Sequence, residues 1–374
     1  MNILCITDQS PGSEQSAIEG IFNGAIQKIA GVQVVYFCRK ANRRTVEGQK
    51  IILPHKYKRA NLFKPLQYVV DFLSTDVVIV RNYFSVLKRV LAQKKQYHFC
   101  VGFWESFPHS FRRVFQAKAE NKSILRKSIE YRINRLKEKR LLSQCDFYLP
   151  ITEMYKGQFY PDLAIPYHAL PLGVDFSKLP KSVAQRHKGN NGIRRYIYTG
   201  AVDQLRKLDV IISAFMEYDG EFVFDIYTAS HNPQVEQIKS MKDSRIRLHN
   251  PLPRADLFKK MSGYDIGIGL IPDNELYRVS SPSKTLEYYA LGMPAIINRL
   301  PEYTSLFDHN SAFFCDFSKD SIRDCIANTS RLSKQEIMQK GNIGRNIVRS
   351  ERDYGELSFR LFNFLKHQHK GCQS

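Results

Sequence analysis

The stretch SPSKTLEYYALGMPAII, residues 281–297, carries a helix start, a helix stop and a short buried strand. Ser281 reads as an N-cap and Pro282 as the first helical residue, whose missing N–H needs no partner there. Gly292 reads as the C-terminal stop, with Pro294 beyond it and Ala295, Ile296 and Ile297 as a strand. Leu286, Tyr289 and Ala290 share one helical face and call for a packing partner. Such a helix points unpaired N–H groups and its positive dipole end at whatever lies before it. That makes an anion site, unless the stretch is an ordinary αβ unit in which Lys284 and Glu287 form a solvated i,i+3 pair.

The same alternation of strand and helix runs the length of the chain. Strands are predicted at 2–7, 33–38, 76–81, 98–103 and 146–151, then at 194–199, 222–227, 245–249, 265–270, 294–298 and 312–315. Parallel sheets with helices on both faces follow, and 374 residues suit two such domains. The polar, turn-rich stretch 178–195 separates them, giving domains at 1–178 and 179–352 and a last helix and tail at 353–374 that folds back on the first domain.

Composition narrows the class. Hydrophobic residues make up 43% and charged residues 25% of the chain, which is globular, and no apolar run is long enough to span a bilayer. The opening MNILCIT enters a strand at once and does not read as a signal peptide, so a cytoplasmic protein is expected. Seven cysteines form no Cys-x-x-Cys pair and no regular framework, so neither a disulfide nor a structural zinc is expected.

The net charge of +20 is uneven: residues 1–178 hold 28 Lys and Arg against 14 Asp and Glu, the remainder 28 against 22. Eleven of those basic residues fall within 111–142, where Leu125, Ile129, Ile133 and Leu136 mark one helical face. Either this is a core helix with a basic back, or it lies on an anionic membrane surface; nucleic acid is not expected, because the glycine and aromatic interleaving of a single-strand reader is missing.

In doubly wound sheets, ligands bind beyond the carboxyl ends of the strands. The loops there hold Gly12 in a turn after the first strand, Glu105 and His109 beside Trp104 in WESFPH, and Gly200, Arg206 and Lys207 in TGAVDQLRK.

Three motifs resemble those of retaining glycosyltransferases of the GT-B fold, in particular family 4, which includes enzymes of bacterial surface polysaccharides. They are GVD at 173–175, YTGAVDQLRKLDVIISAF at 198–215 and SPSKTLEYYALGMPAI at 281–296. The resemblance implies two Rossmann-like domains facing an interdomain cleft, the first for the acceptor and the second for a nucleotide-sugar. It implies that the N–H groups of Ser283, Lys284 and Thr285, with Ser281, face the diphosphate and that Glu287 takes the ribose hydroxyls. Arg206, on the family's lysine, and Lys207 would neutralise the leaving diphosphate without a metal or other cofactor. Val279 stands where the family often has a glutamate, and Ala201 where it has an arginine, so the sugar-side contacts are assigned to Asn274 or backbone groups. His109 is expected to meet donor sugar or acceptor, with Glu105 orienting it. The implied acceptor is a glycan, such as a polyprenyl-diphosphate-linked one at the inner membrane face, in envelope polysaccharide assembly. The competing readings are a UDP-sugar 2-epimerase of the same fold and a basic nucleic-acid-binding protein.

Overall fold

The computed structural model describes residues 1–12, 16–58, 62–119, 124–180 and 192–373. The chain divides into two compact units. Unit 1 is Met1–Gly173, Val279–Ser281 and Asp353–Ser374; unit 2 is Val174–Arg278 and Pro282–Arg352. The break thus falls at Gly173, five residues before the expected one, while 181–191 of the polar stretch lie outside the described residues.

Unit 1 carries strands β1 (Asn2–Ile6), β2 (Gly31–Cys38), β3 (Thr45–Glu47), β4 (Lys50–Pro54), β5 (Val77–Arg81), β6 (Cys100–Glu105) and β7 (Phe147–Pro150), in the order β3-β4-β2-β1-β5-β6-β7. All neighbours are parallel except β3 and β4, a hairpin absent from the sequence reading. Its turn is Gly48–Gln49, with Gly48 at φ 59°. Strands such as VVIVR of β5 are buried on both faces, as a sheet covered on both sides requires. The helices are α1 (Phe63–Leu66), α2 (Phe84–Tyr97), α3 (His109–Ala119), α4 (Ile124–Leu142) and α5 (Glu153–Phe159).

Unit 2 holds β8 (Arg194–Thr199), β9 (Phe222–Tyr227), β10 (Ile246–His249), β11 (Ile266–Ile268), β12 (Ala295–Ile297) and β13 (Phe313–Phe314), all parallel, ordered β10-β9-β8-β11-β12-β13. Around them lie α6 (Leu208–Met216), α7 (Pro233–Ser240), α8 (Arg254–Met261), α9 (Ser283–Ala290), α10 (Pro301–Thr304), α11 (Lys319–Arg331) and α12 (Lys334–Arg352). Tyr196, Phe215, Phe224, Ile266 and Ile296 lie at the centre of its core. A Cβ on Gly267 would stand 2.1 Å from the Tyr288 ring, so the DIGIGL sequence lets α9 press directly onto β11.

The last helix, α13 (Tyr354–Gln373), belongs to unit 1. Leu357, Leu361 and Leu365 are buried, the Tyr354 and Ser16 hydroxyls meet at 2.6 Å, and the Phe364 ring stands edge-on to Phe147. Near its end the structure joins Cys372 to Cys100, 272 positions apart, which corrects the expectation of no disulfide. Sequence spacing is blind to this pair because only the returning helix brings the two sulfurs together.

Residues 111–142 form α3 and α4, and residues 120–123 lie outside the description. Leu125 and Leu136 are 75% and 72% exposed, and Ile129 and Ile133 about half exposed. The apolar row therefore faces away from the core, which removes the core-helix reading. Arg135 turns inward instead, 3.9 Å over the Tyr160 ring.

Candidate functional site

The helix front predicted at residues 281–297 is built, with one correction. Pro282, not Ser281, occupies the N-cap position, and α9 starts at Ser283. Ser281 is buried, and its hydroxyl accepts a hydrogen bond from the Leu172 backbone at 3.1 Å within unit 1. It is thereby committed to holding the chain. Ser283, Lys284 and Thr285 supply the first N–H groups of α9, which have no carbonyl one turn earlier. The Thr285 side chain points inward and meets the Tyr303 hydroxyl at 2.9 Å, so this residue offers the front of the helix only its backbone.

Lys284 and Glu287 do not pair with each other. The Lys284 ammonium rests 4.0 Å over the Tyr198 ring, with no carboxylate in contact among the described residues. Burial, and then the neighbouring Arg206, hold its pKa well below the ordinary lysine range. Glu287, one turn on, receives the Arg254 guanidinium at 2.5 Å. Burial pushes its carboxyl upward and Arg254 opposes that shift. The carboxylate is only 14% exposed while Arg254 is 47% exposed, so the arginine is a cap that can swing into solvent.

Arg206 stands on the loop after β8, where its guanidinium pairs with Asp203 and its N–H donates to the Asp203 carboxylate at 3.0 Å. Burial works against its charge, but Tyr277, Asp203 and Tyr198 outweigh it, so the group stays cationic. Gly200, at φ 144°, turns the chain out of β8 and is exposed. Lys207 is not brought to this cluster. Its backbone is left-handed, φ 46° and ψ 49°, a conformation that glycine adopts more readily than lysine. It lines a cavity of about 380 Å³ with Gln234, Gln237 and Met241 between α6 and α7. Asn274 spends its side-chain oxygen on the Leu276 and Tyr277 N–H groups, both at 3.1 Å, and so shapes the loop that sets Tyr277 beside Arg206. Val279 is fully buried, and its carbonyl accepts from the Thr152 hydroxyl.

In unit 1 the structure separates Glu105 from His109. Glu105 is buried and accepts from the Tyr148 hydroxyl at 2.9 Å. Burial and Glu138 push its pKa up to about 7, against Tyr155, Tyr148 and Arg135. It serves the interior beneath α4 and does not orient His109, because its partners all lie on that side. His109 opens α3 and is solvent-exposed at one edge, with its ring 5.4 Å from Phe107. Partial burial depresses its pKa, opposed by Asp8 and reinforced by Arg81, Arg112 and Arg113. Trp104 is wholly buried between Phe22 and Arg81. Gly12, at φ 78°, sits in an open turn whose next residues, 13–15, are not described.

Sequence reasoning missed Arg254 and Tyr198. Tyr198 reads as one more strand aromatic, and Arg254 as a charge at the start of a helix. Only the fold shows that one floors Lys284 and the other caps Glu287.

No family model and no curated protein matches this chain. Solved structures do match over nearly its whole length. A sucrose-phosphate synthase from Thermosynechococcus elongatus aligns with a TM-score of 0.73 at 10% identity, covering 99% of this chain and all of that one. The Anabaena protein HepE, solved with UDP and glucose, gives 0.70 at 11% identity, covering 98% and 100%. A UDP-forming trehalose-phosphate synthase from Burkholderia xenovorans, solved with glucose-6-phosphate, gives 0.69 at 10% identity over the same shares. These enzymes carry two parallel-sheet Rossmann-like domains, and this chain has their fold, GT-B.

Proposed function

We propose that the protein is a retaining glycosyltransferase that binds a nucleotide-sugar on unit 2 and transfers the sugar to a glycan acceptor bound by unit 1. The observation that carries this reading is the cationic pair at the front of α9: Lys284, with no counter-charge among the described residues, held over Tyr198 beside Arg206. Placing two cations together is unfavourable until a dianion arrives. A nucleoside diphosphate supplies that dianion, and its ribose hydroxyls suit Glu287 one helical turn away, because a carboxylate accepts two hydroxyls at once. Lys284 and Arg206 would then take the charge that grows on the diphosphate as the glycosidic bond breaks. The complexes of the Anabaena and Burkholderia proteins with UDP, glucose and a sugar phosphate support the nucleotide-sugar reading.

The acceptor is proposed to be lipid-linked, for envelope polysaccharide, with the protein peripheral on the cytoplasmic membrane face. The outward row Leu125, Ile129, Ile133 and Leu136, flanked by Arg126, Arg132, Lys137 and Arg140, supports this. None of the helices among the described residues is long and apolar enough to cross a membrane.

Thermal-shift screening against UDP, GDP and ADP tests the nucleotide site, since a ligand of the native state raises its stability by mass action. One nucleotide should raise the melting temperature; no response to any of the three overturns the reading. Co-sedimentation tests the surface. Binding to vesicles should rise with anionic lipid, fall with salt over a Debye length of about 10 Å at 0.1 M, and weaken on charge reversal of Arg126, Arg132 and Lys137. Failure to sediment at low salt refutes membrane docking.

A further inference from the structure

Cys100 opens β6, Asp146 stands immediately before β7, and Cys372 lies in the last turn of α13. Sequence spacing links none of the three, and the folding of unit 1 assembles them. β6 and β7 run side by side with Gly102 opposite Phe147, which sets Asp146 beside Val101. Asp146 grips that residue twice: its N–H donates to the Val101 carbonyl at 2.9 Å, and its carboxylate accepts from the Val101 N–H at 2.7 Å. The carboxylate is thus fixed next to the residue that follows Cys100. Helix α13 comes down on the same place, with the Gln368 carbonyl 3.9 Å from the Cys100 sulfur. The Cys100 sulfur, the Cys372 sulfur and an Asp146 oxygen lie within 4.8 Å of one another, the one such group of three potential metal ligands among the described residues.

The disulfide is one use of this arrangement, and it persists only where thiols are kept oxidised. A dithiol reductant passes two electrons and two protons to the bond, leaving two thiols and becoming a disulfide itself. Two sulfurs and a carboxylate then stand at the carbonyl end of a helix, where the dipole favours a cation. Two soft thiolates with one carboxylate suit Zn²⁺ and do not suit Mg²⁺ or Ca²⁺, which take oxygen ligands. Zn–S bonds of about 2.3 Å place two sulfurs about 3.8 Å apart, so the reduced pair has only to part slightly to admit the ion. Cys100 is buried and Cys372 exposed, so one ligand is held by the strand while the other gives ion and reductant a way in. Lys94 pairs with the second Asp146 oxygen, and its side chain is 33% exposed, so it can yield that oxygen and swing into solvent. Cys145 is next to Asp146 in sequence but is buried and turned to the Leu141 carbonyl, 3.6 Å away.

We propose that the reduced thiols of Cys100 and Cys372, with Asp146 and a water molecule, bind one Zn²⁺ that takes over the fastening of α13 when the disulfide is open. The ion displaces the two thiol protons to solvent and is held by two thiolates and a carboxylate. The group lies at the amino ends of β6 and β7, the edge opposite the one where such sheets bind ligands, so the ion fastens the fold and takes no part in sugar transfer.

The test uses the full-length protein reduced with a phosphine, with Co²⁺ as the spectroscopic probe for Zn²⁺. One equivalent of Co²⁺ should give thiolate-to-cobalt charge-transfer absorption, and Zn²⁺ should displace it. Cys372→Ser, a change at an exposed position, should remove at least half of that absorption. Asp146→Asn keeps an acceptor for the Val101 N–H and should weaken Zn²⁺ binding at least about tenfold. Zn²⁺ should raise the melting temperature of the reduced wild type and leave reduced Cys372→Ser unmoved. No thiolate absorption in the reduced wild type overturns the proposal. So does absorption undiminished in Cys372→Ser, which would place the ion on other cysteines, and so does an affinity unchanged in Asp146→Asn.

Discussion

Replacing Lys284 by Met should move two properties in opposite directions. In the free protein the ammonium gains about 0.5–2 kcal/mol from the Tyr198 face. Against this stand lost hydration and repulsion from Arg206, and the depressed pKa of Lys284 records that the losses prevail. Methionine keeps the length and an aromatic contact without the charge. The unliganded variant should therefore melt higher than wild type. Between the depressed native pKa and the ordinary value near 10.4 the unfolded chain binds more protons, so wild-type stability should rise with pH across that window, and the variant should lack the slope. Nucleoside diphosphate binding should weaken by roughly 1.5–3 kcal/mol, about 10- to 150-fold, because a charge-assisted contact is gone. A Lys284→Met protein that melts lower than wild type and binds the nucleotide unchanged would refute the reasoning.

Glu287→Ala should cost roughly 1.5–3 kcal/mol of nucleotide affinity, whereas Arg254→Ala should change it by less than tenfold, since a pair whose arginine is half-exposed contributes about 0.2–1 kcal/mol; calorimetry on both variants checks the asymmetry. Glu105 is held near 7 in the folded protein against 4.5 for the free group, so stability should fall as pH rises between those values and level off above 7. Glu105→Gln should abolish that slope in denaturant titrations and recover up to about 3 kcal/mol at pH 8. Reducing the Cys100–Cys372 bond should lower the melting temperature of wild type by on the order of 10 °C, from a chain-entropy contribution of about 5 kcal/mol, and leave Cys372→Ser unmoved. Equal melting with and without reductant counts against the bond.

The sheets were legible because their strands are short apolar runs set apart by helix-length segments. The β3–β4 hairpin escaped because TVE carries no apolar alternation and its turn rests on Gly48 alone. Residues 283–287 were legible as an anion-facing helix front from cap chemistry. The roles of Lys207 and Asn274 were not. The left-handed backbone of Lys207 and the turn closed by Asn274 are decided by φ and by hydrogen bonds that a residue's type does not disclose. Glu105 and His109 lie four residues apart in sequence but face different sides, because one ends a strand and the other opens a helix.

The return of α13 to unit 1 bears on the order of events during synthesis. A domain at the start of a chain ordinarily folds while the remainder is still being made. Here a Cβ on Gly20 would fall 1.9 Å from a ring atom of Tyr354, so the first unit has a notch cut for a side chain that leaves the ribosome long after it. Thr152 waits likewise for the carbonyl of Val279. The nascent amino-terminal half must hold its sheet with that notch open until α13 has been made, which makes it the stretch that a chaperone would have to cover, and makes a fragment ending at Gly173 a poor candidate for independent expression unless residues 353–374 are supplied alongside.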